Sequence, residues 1–495
     1  MMMELFFALP MAIVVLGAFV LMLMSNASAV NLNRLNLIAV LFLSVSLVLE
    51  VMSLSVVHEV YLFQDVFGES FILDDFATIF DLMFTTGAIL TLLINNDYFK
   101  SRDYITGEYF ALILFSVFGM MMLSHAHELM SAFIALEIAS LSVYTLVGYH
   151  KKNRISAEAM MKYMVLGSLS GAFFMLGTAM IYGAVGSTSL STIADYVNAH
   201  TIDEMTLVVV GASFIMVTIM FKIGAVPFHG WVIDVYHGAP YPITMFMAST
   251  FKIAIFAIAL RLYIVDFVSI NSFWIEMLQV ITILTLFGGS WLAITQDVVK
   301  RMLAGSSIVH SGYLLIGISS LGLDSEIAAP AIMFYLIAYF LSAAGAFGIL
   351  SFIASQSKKQ MRYEDFKGFA QRRPYMALLM SIFMLSLAGF PSTIGFLGKF
   401  YIFTSAIESG QIMLAGLGIL IAFISVYYYF KLIAMMYFYP STTPQKELPI
   451  NMSTVLIAAM ALIIVWGGIG TSLIPFVPGA DSFMDIAVQA IRSLH

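Results

Sequence analysis

The chain reads as an all-α polytopic membrane protein of about fourteen transmembrane helices, and three observations predict it. Its 495 residues are 61% hydrophobic and only 10% charged, with a mean hydropathy of +0.97. A water-soluble domain carries about 25% charged residues. No polar stretch exceeds roughly twenty residues, about one loop, so no sizeable soluble domain fits between the apolar runs. Those runs are about twenty residues long, enough to cross a ~30 Å hydrocarbon core as helix. Cysteine is absent, which excludes disulfides, iron–sulfur clusters and thiolate metal sites from this chain. The net charge of −7 comes from acids gathered in loops on one side. The charge therefore says little about a nucleic-acid partner; the expected surroundings are a lipid bilayer, with no nucleic acid as partner.

Spans are expected to start near Leu5, Leu35, Asp75, Ile105, Glu128, Ser156, Leu207, Tyr241, Phe273, Lys300, Ile327, Tyr375, Gln411 and Ser453. The first follows Glu4 without a basic flank and is read as a retained span, not a cleaved signal. With both termini outside, the inner loops collect Arg34, Lys100, Arg102, Lys151, Lys152, Arg154, Lys300 and Arg301. They also collect Lys358, Lys359, Arg362, Lys367, Arg372, Arg373 and Lys446, while the outer side keeps Arg261 and Arg492. The outer loops are acidic, with Glu59, Asp65, Glu69, Asp203, Glu204, Asp324, Glu326 and Asp485. This asymmetry is what the positive-inside rule demands.

Two runs are too long for one helix. Leu207 to Ala239 is about 33 residues, or roughly 50 Å of helix, with Gly224 and Pro227 in its middle. Tyr375 to about Ile407 repeats the pattern at Gly389 and Pro391. Proline removes a backbone donor and clashes with the preceding turn, so both helices should break. Paired broken helices, the seventh and twelfth spans, point to inverted five-helix repeats around a buried ion path. The expected organisation is a three-helix segment over 1–104, a first repeat over 105–270, a second over 271–440, and a C-terminal helix and tail over 441–495.

Five lysines, Lys162, Lys222, Lys252, Lys399 and Lys431, fall inside apolar runs. Each costs at least ~2.5–3.5 kcal/mol near the bilayer centre, and such residues usually line ion or proton pathways. One carboxylate, Glu137, about ten residues into its span, gives them an opposite charge. Lys222 and Lys399 lie beside the two breaks and are expected to be counterparts. Lys252 is the hardest to bring to the interface. Lys162 has Glu158 four residues earlier, a plain helical ion pair, and Lys431 can snorkel to the inner interface. His310, after Ser306 and Ser307, suits either proton transfer or a structural bond between helices. His125 and His127 flank an outer turn without a converging third ligand; they are expected to be solvated and to bind no metal. A lysine whose carboxylate partner withdraws releases its proton, so a row of such groups joined by water can carry protons stepwise.

The segment AVPFHGWVIDVYHGAP over 225–240 and the following TMFMASTFKIAIF resemble the proton-channel motif of the antiporter-like subunits of respiratory complex I. So do LEIASLSVYTLVGY around Glu137, EAMMKYMVLGSLSGAFFMLG around Lys162, QDVVKRMLAGSSIVHSGYLLIG, and SLAGFPSTIGFLGKFYIF around Lys399. The resemblance runs from about residue 105 to 431 and is strongest to the N type. Lysine at 399 differs from the glutamate of the M type, and no long lateral C-terminal helix of the L type follows. Ile233, Ser392 and Gly305 depart from the residues common in the family.

The resemblance implies that Glu137, Lys222, Lys252 and Lys399 carry protons; Lys162 and His310 stand beside them, from the reading of the residues, as candidate relay or modulating groups. It implies a complex driven by quinone reduction in the bacterial inner membrane, with sister membrane-arm subunits as partners. NADH or another donor, FMN, iron–sulfur clusters and quinone would belong to other subunits, and no cofactor to this chain. The alternatives are a cation/proton antiporter subunit, a membrane-bound hydrogenase subunit, or a scaffold with vestigial lysines.

Overall fold

The computed structural model describes residues 2–25, 31–60, 64–66, 70–267, 271–323, 325–356, 361–441, 451–469 and 479–494. Lys358, Lys359, Lys446, Glu69 and Asp324, and the side chains of Glu59 and Asp65, lie outside the described residues. The N-terminal part holds α1 (Met2–Ser25), α2 (Leu32–Val60), strands β1 (Gln64–Val66) and β2 (Phe71–Leu73), and α3 (Asp75–Ile94). Then follow α4 (Asn96–Lys100), α5 (Gly107–Ser124), α6 (Leu129–Val147), α7 (Arg154–Val185), α8 (Leu190–Ala199), α9 (Thr206–Ile223) and α10 (Val232–Gly238). The centre is α11 (Tyr241–Phe246), a π-helical turn at Met247–Phe251, α12 (Lys252–Leu262), α13 (Asn271–Ile294), α14 (Val299–Ser319) and α15 (Ala328–Gln356). The chain continues through α16 (Phe369–Arg372), α17 (Pro374–Ala388), α18 (Ile394–Glu408), α19 (Ile412–Phe438), α20 (Met452–Ile469) and α21 (Ala480–Arg492).

Thirteen of these stretches are long and apolar enough to cross a membrane, and the broken pair α17–α18 makes a further crossing. Every crossing starts within three residues of its expected position. The stretches Tyr241–Leu262 and Val299–Ser319 are buried along their whole length, and Ala328–Gln356 nearly so. These three form the centre of the bundle, whereas little more than a quarter of α1 and of α2 is buried. The small hairpin β1–β2 was not expected from the sequence. It pairs antiparallel, and a bridge from Phe71 to Ala126 extends it over the end of α5.

Both long runs break, and in the same manner. At the end of α9, Gly224 takes a left-handed φ of 74°; its N–H donates to Phe221 and the Ala225 N–H to Met220. At the end of α17, Gly389 has φ 80°, with Gly389 donating to Ser386 and Phe390 to Leu385. Each is a glycine C-cap that closes a helix with a six-to-one and a five-to-two bond. The unwound backbone must find partners where no water competes. Ile223 O accepts from Ser311 Oγ at 2.7 Å, Phe221 O from Trp231 Nε1 at 3.0 Å, and Val226 N–H donates to Thr285 Oγ1 at 3.0 Å.

Two departures from the family pattern have structural consequences. Ser392 has φ 70°, a conformation closed to proline, whose ring holds φ near −65°. At Gly305 a Cβ would stand 2.7 Å from Ala293 N, so α13 and α14 approach too closely there for a large side chain.

Candidate functional site

The structure brings Lys222, Lys252, His310 and Lys399 into one interior row, all of them buried. Lys222 lies in the last turn of α9, and its Nζ donates to Ser140 Oγ at 2.7 Å and Tyr144 OH at 2.8 Å. Glu137, Ser140 and Tyr144 are three and seven residues apart on α6, hence on one face. Glu137 is only half-buried. Its Oε1 has no hydrogen-bond partner and faces Gly171, where a Cβ would stand 2.8 Å away. No ion pair joins Glu137 to Lys222 among the described residues. Ser140 and Tyr144 lie on that α6 face between the carboxylate and the lysine.

Lys252 opens α12 directly after the π turn, an irregularity that often marks functional positions. Its Nζ donates to the Ser307 carbonyl and lies 5.4 Å from the Tyr339 ring centroid. A small cavity lined by Lys222, Trp231, Tyr236, Phe251, Lys252 and Ser307 separates the first two lysines. It is about one water molecule in size. One helical turn past Ser307, His310 makes bonds of 2.5 Å between Nδ1 and Tyr335 OH and 3.0 Å between Nε2 and Tyr429 OH. The Tyr429 hydroxyl also bonds Ser306. Tyr313, edge-on to His310, places its ring 4.9 Å from Lys399 Nζ.

Lys399 donates to the carbonyls of Leu387 and Ala388, each at 2.9 Å. These are the last carbonyls of α17, left without intrahelical donors. The lysine reaches them because residue 389 has no side chain: a Cβ there would stand 2.8 Å from Lys399 Cδ. The two break lysines therefore are not positional counterparts. Lys222 precedes its glycine by two residues (224 − 222), whereas Lys399 follows its own by ten (399 − 389).

All three row lysines are held by neutral oxygens and aromatic faces, and none touches a carboxylate. Hydrogen bonds and ring faces stabilise an ammonium without locking it as a salt bridge does. The row thus offers protonatable nitrogens joined by hydroxyls, an imidazole and a small cavity.

Lys162 and Lys431 stand outside the row. Lys162 is exposed and pairs with Glu158 at 2.8 Å, as expected, and with Asp234 at 2.9 Å; Asp234 also meets Arg301 at 3.4 Å. Because exposed pairs contribute little, Lys162→Ala should leave the yield of assembled protein within about two-fold of wild type, measured by membrane immunoblot. Lys431 is half-buried, with Nζ 4.4 Å from the Tyr363 ring centroid.

Several assignments from the sequence need correction. Lys300, placed in an inner loop, is buried at the start of α14, donating to Ala239 O at 2.6 Å over the Tyr241 ring. It lines a cavity of about 1140 Å³ with Arg102, His150, Lys151 and Lys152. Arg261, placed outside, is buried against Asp74 at 2.8 Å. Glu137 is not the lone carboxylate of the spans: Glu50, Asp74 and Asp81 are more deeply buried. His125, expected to be solvated, is buried against Asp81 at 2.9 Å. No cluster of residues suited to a metal ion occurs among the described residues.

A bundle with two glycine-capped breaks and a row of buried lysines is a polytopic membrane protein that holds charge in its interior. The family model described as NADH:quinone oxidoreductase/Mrp antiporter, TM, matches residues 126–425. NADH-quinone oxidoreductase subunit N of Trichlorobacter lovleyi is 39% identical over 401 residues, 80% of this chain and 82% of that protein. A chain of respiratory complex I from Thermus thermophilus superposes with a TM-score of 0.76 at 28% identity, covering 93% of this chain and 96% of that one. A chain of the Mrp complex from a Dietzia species shares the fold, with TM-score 0.85, 19% identity, and coverage of 100% and 98%. The chain belongs to the family of NADH-quinone oxidoreductase subunit N.

Proposed function

We propose that this chain is the N subunit of the membrane arm of a bacterial NADH-quinone oxidoreductase and that it translocates protons through Glu137, Lys222, Lys252, His310 and Lys399. The carrying observation is the row itself: three buried lysines, each on neutral partners, joined through Ser307, His310 and Tyr313. A lysine on neutral partners changes protonation without first breaking an ion pair. The half-buried Glu137 sets the charge at one end, so a neighbouring subunit that alters its charge alters the Lys222 proton. Lys162, paired on the exposed face with Glu158 and Asp234, modulates from the side.

The energy comes from quinone reduction elsewhere in the complex. NADH or another donor, FMN, iron–sulfur clusters and quinone belong to other subunits, and sister antiporter-like subunits are the partners. The chain lies in the inner membrane with both termini outside, the orientation its basic loops favour. The two matching glycine caps support two inverted repeats, over 105–270 and 271–440, between the flanking segments 1–104 and 441–495.

Glu137→Gln keeps the side chain's size and removes its charge. The variant complex in proteoliposomes is expected to lose about five-fold in coupled proton translocation, the order of a typical coupling energy between sites. Wild-type translocation and NADH oxidation in that variant would remove Glu137 from the path.

A further inference from the structure

A second group of buried ionisable side chains lies at the far end of the Lys252 helix, away from Lys300. Lys300 sits over Tyr241, where that span begins, and Arg261 stands nine residues beyond Lys252, about 13.5 Å along the axis. From Arg261 the group runs through Asp74, Asp75 and Asp81 on or before α3 and His125 after α5 to Glu50 on α2, all buried. From the C-terminal helix, Gln489 donates to Asp75 at 2.9 Å and Ser493 Oγ accepts from Phe76 N–H at 2.9 Å. Arg261 is bound to both oxygens of Asp74, at 2.8 and 3.0 Å. That pair is neutral by itself. What remains is Asp75, held by Gln489, and Glu50, Asp81 and His125.

The partners of His125 leave it little choice. Nδ1 is 2.7 Å from the Ile72 carbonyl, which only accepts, so Nδ1 carries hydrogen. Nε2 is 2.9 Å from Asp81 Oδ2; one proton must lie between them. Glu50 is different. Its two oxygens are each 2.8 Å from a hydroxyl, Ser46 and Thr85. Both hydroxyls also have a carbonyl in reach, Pro10 O at 3.1 Å and Asp81 O at 2.9 Å. A hydroxyl has one hydrogen to give. Either both donate to a charged Glu50, or the one facing the protonated oxygen turns to its carbonyl and accepts from Glu50 while the other still donates. Only that one hydroxyl hydrogen rotates between the two states.

α3, which carries Asp81 and Thr85, packs between this site and the Lys252 span. α3 crosses the Lys252 helix at Gly87, where a Cβ would stand 2.2 Å from Thr250 Oγ1. Gly87 is two residues from Thr85, and Thr250 two from Lys252.

We propose that Glu50, with the Asp81–His125 pair, is a proton-holding site that exchanges with the Lys252 part of the relay and serves the face opposite Lys300. The proposal rests on the relay function above. In each cycle one proton arrives on the Glu50 carboxylate, the hydroxyl facing it turns to its carbonyl, and the same proton then leaves.

The test uses the intact complex in proteoliposomes. Glu50→Gln keeps the shape and cannot exchange a proton; it should lower protons moved per assembled complex about five-fold, with Glu50→Asp restoring most of it. Redox-difference infrared spectra of the wild type should show a carboxylic acid carbonyl band that shifts in D2O and is missing in Glu50→Gln. Normal pumping per complex in Glu50→Gln, with the band unchanged, overturns the proposal, whatever the yield. Should Glu50→Gln not assemble, Thr85→Val removes one rotating hydroxyl. An altered pH profile of pumping then supports the site, and an unaltered one overturns it. Lys222→Met separates the two ideas: inactive Lys222→Met beside normal Glu50→Gln rejects this site alone, and active Lys222→Met rejects the relay.

Discussion

Lys222→Met is expected to assemble and to lose coupled proton translocation by about ten-fold or more, the order expected when a positioned proton-transfer group is removed. Methionine fills nearly the same length with an apolar chain, so packing at the end of α9 survives. Ser140 Oγ and Tyr144 OH each lose the ammonium they accept from. Both are hydroxyls and can turn toward other acceptors, which limits the cost. Lys222→Arg is the sharper variant. It keeps a positive charge and donors for both hydroxyls, but guanidinium does not give up its proton in proteins. A purely structural lysine would be rescued by arginine; a proton carrier would not. The measurement is the acidification of proteoliposomes per NADH oxidised, with immunoblots to normalise the amount of complex. Wild-type ratios in Lys222→Arg would exclude proton transfer at this position.

The residues that carry this argument were unequally legible. Apolar run length gave every crossing within three residues, because the hydrocarbon thickness leaves a helix little choice. Gly224 and Gly389 marked the breaks, because a left-handed C-cap needs glycine. Lys222, Lys252 and Lys399 stood out, since their distance from either interface rules out snorkelling. The span ends were illegible for the opposite reason. Lys300 and Arg261 sit where a long side chain can turn out to water or in to the bundle, and the partner on a distant element decides. For Arg261 that partner is Asp74, 187 residues away; for Lys300 it is a carbonyl at the end of α10. His125 turned inward for the same cause, drawn by Asp81 on α3. The tyrosines and serines between the lysines were hidden by their commonness. Tyr144, Ser307, Tyr313 and Tyr429 matter through convergence from three helices, which no local pattern records. The unequal places of Lys222 and Lys399 escaped too: closeness to a break was visible, but not which side of it supplies the partners.

Gly395→Ala should be the most damaging single-methyl change in the second break. A Cβ at residue 395 would stand 2.1 Å from Ser386 O and 2.7 Å from Ser386 Oγ. The first contact is backbone at the end of α17, and no rotamer change relieves it. Ser386 Oγ is itself held by Ser342 Oγ of α15 at 2.8 Å, so it resists moving aside. The first turn of α18 must instead move away from α17. Overpacking of this kind costs roughly 1–3 kcal/mol and occasionally more. Lys399 lies four residues further along α18 on the same face, and its Nζ spans the break to Leu387 O and Ala388 O. Displacing α18 lengthens both bonds and leaves two buried carbonyls with no donor, at about 1–3 kcal/mol each. The variant is therefore expected to show a lower melting temperature in detergent and reduced pumping in the molecules that remain assembled. Gly416→Ala is the matched control, because residue 416 lies within α19 with nothing within 4 Å of its would-be Cβ. Alanine there should be neutral or stabilising by up to about 1 kcal/mol, through helix propensity. Equal melting temperatures and equal pumping for the two variants would show that the break tolerates separation of α17 from α18. Lys399 would then not need its carbonyl cradle to work.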